Sequence, residues 1–92
     1  MTITQLYYVL AVAEYKNFTL AAEKCFVTQP TLSMQIQKLE EELGVKIFDR
    51  SSQPVVPTKE GEEIIRRAKL ILAETDHLKN YASELKGGDS GE

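Results

Sequence analysis

At 92 residues, 42% hydrophobic and 27% charged, the chain is large enough for one small domain with an appendage and too apolar for wholesale disorder. One cysteine (Cys25) and one histidine (His77) exclude an internal disulfide and a zinc set within one chain, so no cofactor is expected. The net charge of −3 opposes a polyanionic partner on average, yet no acidic residue lies between Glu23 and Glu40, while Lys24 and Lys38 do.

No apolar run has membrane-spanning length and the start lacks a signal-peptide pattern, so a reducing, cytoplasmic setting is expected. ITQLYYVLAVAEY, with Ile3, Leu6, Leu10 and Ala13 apolar and Tyr7 and Val9 beside them, predicts a first helix; Thr2 and Gln5 have capping-box spacing. Asn17 can cap a short second helix, TLAAEKCF, whose Ala21 and Ala22 permit close approach of another helix. After a tight connection at Phe26 and Val27, Thr28 caps a third helix with Pro30 in its first turn. There Leu32, Ile36, Leu39 and Leu43 form the buried stripe, and Gly44 is the stop. Short helix, turn and longer capped helix outline a helix-turn-helix.

Beyond Gly44, VKIF and QPVVP are β-prone runs with Pro54 and Pro57 as edge-type residues; they predict a hairpin that must lean on the helices. Ile47 and Phe48 are its packing residues. Thr58 caps a final helix to about Leu85. Its apolar positions Ile64, Ala68, Ile71, Thr75, Leu78, Ala82 and Leu85 step by four and three, with Ile65 and Leu72 flanking. So small a domain cannot cover that seam, which predicts pairing with a second copy. GGDSGE reads as a flexible hinge to a further domain outside this chain. The expected class is mainly α: a winged helix-turn-helix of three helices and a two-stranded wing over residues 1–57, a linker and dimerisation helix over 58–86, and a hinge over 87–92.

The third helix carries uncharged polar residues where Lys and Glu are usual. Gln can bond adenine bidentately in the major groove, Ser and Thr can reach bases or phosphates, and a capped helix N-terminus suits a phosphate. The competing reading is a solvated polar face on a helical protein–protein dimerisation module that binds no DNA. Cys25, beside core positions, reads as a structural thiol, and His77 as an exposed helix residue. SELK at Ser83 to Lys86 has the spacing of an acylating-enzyme motif without its other elements. No enzyme is expected.

The run FTLAAEKCFVTQPTLSMQIQKLEEELGVKIFDR, followed by PTKEGEEI, closely resembles the N-terminal DNA-binding domain of LysR-type transcriptional regulators, over residues 1 to about 86. KCFVTQPTLS and QKLEEELGV are similar to its peroxide-sensing members. The resemblance implies a bacterial regulator that reads an inverted-repeat operator in double-stranded DNA. It further implies a homodimer through the linker helix, a tetramer at full length, and a separate effector domain tied to oxidative stress. Carried over by position, Thr28, Gln29, Pro30, Thr31, Ser33, Gln35 and Lys38 would contact DNA from recognition helix 29–43. Arg50 would do so from the wing at the minor groove or backbone, and Thr19 would touch phosphate. Met34 stands where many members have arginine and offers only apolar contact, for instance to a thymine methyl. Ser51, Ser52, Gln53 and Pro54 make a wing tip without the basic residues often found there, and Phe26 replaces the glycine of the general turn.

Overall fold

The computed structural model describes residues 1–90, with side chains through Gly87. In chain order it contains α1 (Ile3–Tyr15), α2 (Phe18–Lys24), α3 (Gln29–Leu43), β1 (Phe48–Asp49), β2 (Val56–Pro57) and α4 (Lys59–Ser90).

Local chemistry sets most of these boundaries. The Thr2 side chain accepts the Gln5 N–H while the Gln5 side chain accepts the Thr2 N–H, closing the capping box on α1. The Asn17 side chain accepts the Leu20 N–H at 2.7 Å and starts α2. Thr28 caps α3, and Gly44, at φ +77°, ends it with its N–H on the Glu40 carbonyl. The Thr58 hydroxyl oxygen accepts the Gly61 N–H at 2.9 Å at the start of α4, and the same hydroxyl donates to the Lys46 carbonyl at 2.6 Å. One side chain thus caps the long helix and ties it to the chain entering the wing.

The core is built where α1, α2 and α3 pack on one another, with α4 laid against α1 and β2. Ala21 and Ala22 are buried, and their small side chains let α2 lie close to both neighbours. Leu32, Ile36 and Leu39 are fully covered, but Leu43 is 41% exposed because α3 has by then run past the body of the domain. On α1 the buried residues are Leu6, Val9 and Val12 together with Gln5. This is a different face from the one the spacing of Ile3, Leu6, Leu10 and Ala13 suggests, since Ile3 and Tyr7 are exposed and Leu10 and Ala13 half-buried. A helix apolar on most sides does not select its own buried face; its neighbours do.

The wing is minimal. β1 and β2 pair antiparallel as Phe48 with Pro57 and Asp49 with Val56. Ile47, Phe48 and Val55 bury their side chains in the core, so the hairpin rests on the helices as expected. Its tip turns through a cis Gln53–Pro54 bond. Phe18 meets Phe48 edge-to-face with ring centroids 6.1 Å apart, which joins α2 to the wing. At Gly61, an added Cβ would lie 1.9 Å from the Ile47 carbonyl oxygen, so only glycine allows α4 to start so near the strand.

α4 spans 32 residues, about 48 Å at 1.5 Å per residue. It continues as helix past Lys86 to Ser90, through part of the hinge expected over 87–92; residues 91 and 92 lie outside the described residues. Among the described residues, no helix is long and apolar enough to cross a membrane.

Candidate nucleic-acid interface

With Leu32, Ile36 and Leu39 turned inward, α3 presents Pro30, Thr31, Met34, Gln37, Lys38 and Glu41 to solvent. Their spacing of three and four places them on one strip. Met34, 47% exposed, stands at its centre. At its start, the Thr28 hydroxyl accepts the Thr31 N–H at 3.3 Å and donates to the Thr31 hydroxyl at 2.9 Å, which leaves the Thr31 hydroxyl proton free to donate outward. Lys38 makes no ion pair among the described residues. Gln37, absent from the contacts carried over by resemblance, belongs to this strip; its place three residues after Met34 was the available signal.

Two expected contact residues on the flanks of α3 are engaged within the chain. Gln35 is half-buried, and its Oε1 accepts from Nε2 of the buried Gln5 at 3.1 Å, so it faces α1. Gln5, whose Oε1 closes the α1 capping box, thereby links that cap to α3. On the opposite flank Ser33 is also half-buried, and its hydroxyl accepts from Arg50 Nη1 at 2.8 Å.

Arg50, expected as an outward wing contact, is held on three sides. Besides Ser33, its guanidinium lies 4.5 Å from the Phe18 ring centroid, and its Nη2 is 3.5 Å from Glu40 Oε1. Glu40 is 3% exposed. Its other oxygen, Oε2, accepts the Ile47 N–H at 2.8 Å and the Phe48 N–H at 3.4 Å. In sequence, Glu40 marks only the end of the acid-free window. The overlooked signal is position: it lies four residues after Ile36, on the buried stripe.

Thr19, Gln29 and Arg50 come together, with Asn17 and Gln53, around an open cleft of about 270 Å³ between the starts of α2 and α3 and the wing. At the wing tip, the Ser51 hydroxyl and N–H both donate to Asp49 Oδ1, which holds that carboxyl below its usual pKa range. Phe26, with φ +60° and 94% exposed, occupies the turn position expected for glycine. Cys25 is half-buried and burial pushes its thiol pKa up, the opposite of the activation a reactive cysteine needs.

The expected dimer seam divides in two. Ile65, Ala68 and Leu72 are buried within the chain itself, and Ile64 and Thr75 are half-buried. These positions serve first to fasten α4 to the domain. Further along, Ile71, Leu78, Ala82 and Leu85 are exposed, with Leu78 at 68% and Leu85 at 59%. His77 is exposed on the same helix, 3.7 Å from Glu74.

A short helix, a tight turn and a longer helix with a free polar strip, backed by a β hairpin, define a winged helix-turn-helix protein. The chain belongs to the LysR family of bacterial regulatory helix-turn-helix proteins, whose family model matches residues 3–62. It is 44% identical over 91 residues to a hydrogen peroxide-inducible genes activator of Dickeya chrysanthemi, covering 99% of this chain and 30% of that protein. It is 45% identical over 84 residues to the DNA-binding transcriptional dual regulator OxyR of Escherichia coli strain K12, covering 91% and 28%. Among solved structures, it superposes on the BenM DNA-binding domain in complex with catB site 1 DNA with a TM-score of 0.92, at 39% identity over 97% of this chain and 96% of that one. The chain thus spans about 30% of the length of the curated relatives it matches.

Proposed function

We propose that this chain binds double-stranded DNA sequence-specifically, as the DNA-binding part of a LysR-type transcriptional regulator. α3 enters the major groove and the wing approaches the adjoining minor groove or backbone. The observation that carries this reading is the outer strip of α3, free of acids from Pro30 through Lys38 and bounded on both flanks by side chains anchored to α1 and the wing. A helix fixed on both flanks holds its outer side chains in one orientation, as base readout requires. Thr31, Met34 and Gln37 face base edges, with Gln29 at the rim. Lys38 takes a phosphate, and Thr19 takes another beside the cleft. Met34 supplies apolar contact to a thymine methyl.

Two copies pair through the exposed half of α4. Ile71, Leu78 and Leu85 recur every seven residues there, and the pair places one recognition helix on each half of an inverted repeat. The names of the curated relatives support a role in an oxidative-stress response, with sensing and a full-length tetramer dependent on sequence outside these 92 residues.

Fluorescence anisotropy on duplexes selected from a random pool, repeated at several salt concentrations, tests this reading. Gln29→Ala relaxes sequence preference by about 1–3 kcal/mol at one base pair. Lys38→Ala weakens all duplexes alike and lowers the salt slope by about 0.9. Absence of binding at every salt concentration, from a dimeric sample, would leave only the protein-binding module.

A further inference from the structure

We infer that Glu40 is a positioning residue that holds the Arg50 guanidinium at the base of the wing and restrains it from indiscriminate binding to DNA phosphate. The inference rests on the DNA-binding reading above. Arg50 was expected to reach outward from the wing, yet its fork is turned towards the protein: Nη1 on Ser33 Oγ, Nη2 beside Glu40 Oε1, and its plane near the Phe18 ring.

Glu40 explains why. A carboxylate in the interior is costly unless paired, and Glu40 is 3% exposed. Oε2 is satisfied by the Ile47 and Phe48 amides, whereas Oε1 accepts no hydrogen bond. Among the described residues, its one charged partner is the guanidinium 3.5 Å away. Arg50 cannot swing out to a phosphate without leaving that oxygen buried and unpaired. The same geometry leaves Arg50 partly exposed, lining the cleft with Thr19 and Gln29. It can therefore offer its remaining N–H donors only to a phosphate that comes to the cleft, and only while α3 and the wing keep their present spacing. The Glu40–Arg50 pair has no net charge, so it adds little to sequence-independent attraction; its contribution depends on fit.

Glu40→Gln keeps the side-chain shape and an oxygen for the two amides while removing the charge that holds Arg50. The expected result is a several-fold rise in affinity for random-sequence duplex and a salt slope steeper by up to about 0.9, the increment of one freed cation. The ratio of selected to random duplex affinity falls. Arg50→Ala combined with Glu40→Gln, which removes both charges of the neutral pair, changes the slope by much less than Lys38→Ala does. ¹⁵N NMR of the free wild-type chain supplies a readout that needs no DNA, and its wild-type arm stands even if the variant fails to fold. Arg50 should show slowed guanidinium rotation compared with free arginine in the same buffer, and Glu40→Gln should release it.

Binding by wild type with identical random-duplex affinity and slope in Glu40→Gln would overturn this inference and leave the DNA-binding reading standing. So would an Arg50 guanidinium in the wild-type chain rotating as fast as free arginine. If wild type binds no duplex at any salt concentration, the DNA-binding reading falls and this inference with it.

Discussion

Replacing Gly61 by alanine tests how closely the long helix and the wing are packed. The new methyl carbon would sit 1.9 Å from the Ile47 carbonyl oxygen, 2.8 Å from its carbon and 3.0 Å from its Cα, whereas ordinary contact begins at 3.4 Å. The backbones must therefore part by about 1.5 Å, and no side-chain rotation can absorb the shift because every clashing atom is main chain. Parting them also stretches the bond from the Thr58 N–H to the same carbonyl, now 2.9 Å. Overpacking of this kind costs about 1–3 kcal/mol, and a lost hydrogen bond about 1 kcal/mol. Alanine's better helix propensity returns up to about 1 kcal/mol. The net loss is about 2 kcal/mol, which for a domain of this size lowers Tm by roughly 8–16 °C. Gly87→Ala is the control. It lies in the same helix, where an added Cβ would meet no described atom within 4 Å outside the helix's own backbone, so stability should hold or rise, by at most about 1 kcal/mol from helix propensity. Urea and thermal denaturation at one fixed protein concentration measure both, since a dimer's Tm depends on concentration. A Gly61→Ala chain as stable as wild type would refute the claim that α4 and Ile47 touch through their backbones.

The exposed half of α4 is tested by Ile71→Asp with Leu78→Asp, which should turn the proposed dimer into a folded monomer by sedimentation; a persistent dimer would place the contact elsewhere. Because Leu72 and Ala68 are already inside the domain, Leu72→Asp should instead unfold the chain, detected as loss of cooperative melting. Glu63 accepts hydrogen bonds from both Arg66 and Arg67, which lowers its carboxyl pKa to about 2. A pKa lowered on folding means stabilisation present above the ordinary value of 4.5 and lost as pH falls towards 2. Carboxyl ¹³C NMR should place the midpoint near 2, and Arg66→Ala with Arg67→Ala should return it towards 4.5; an unshifted wild-type midpoint would show that these contacts do not persist in solution.

Much of the fold was legible because it is local. Thr2, Asn17, Thr28 and Thr58 each reach an N–H three residues ahead, and Gly44 stops a helix by its own backbone conformation. Such contacts need no knowledge of the rest of the chain. The apolar period of Leu32, Ile36 and Leu39 likewise named the inner face of α3, and so exposed its outer strip. Chemistry that crosses between elements was not legible. Gln35 meets Gln5 across thirty positions, and Arg50 meets Ser33 across seventeen. Nothing in either residue's neighbourhood in sequence marks these pairings. α4 shows the same division: its heptad-like spacing identified an apolar seam, while only packing against the rest of the domain, α1 foremost, determined that Ile65, Ala68 and Leu72 would be covered from within and Leu78 and Leu85 left exposed.

By itself, then, the sequence determined where helices begin and end, which face of α3 is buried, and the family to which the chain belongs. Tertiary structure alone decided which polar side chains remain free. A hydrogen bond or ion pair depends on distances of a few ångströms, and those distances exist only once separate elements have packed. Glu40 and Arg50 are the plainest case: in sequence the acid that ends an acid-free window and a wing contact, in the fold a buried carboxylate with a guanidinium 3.5 Å away.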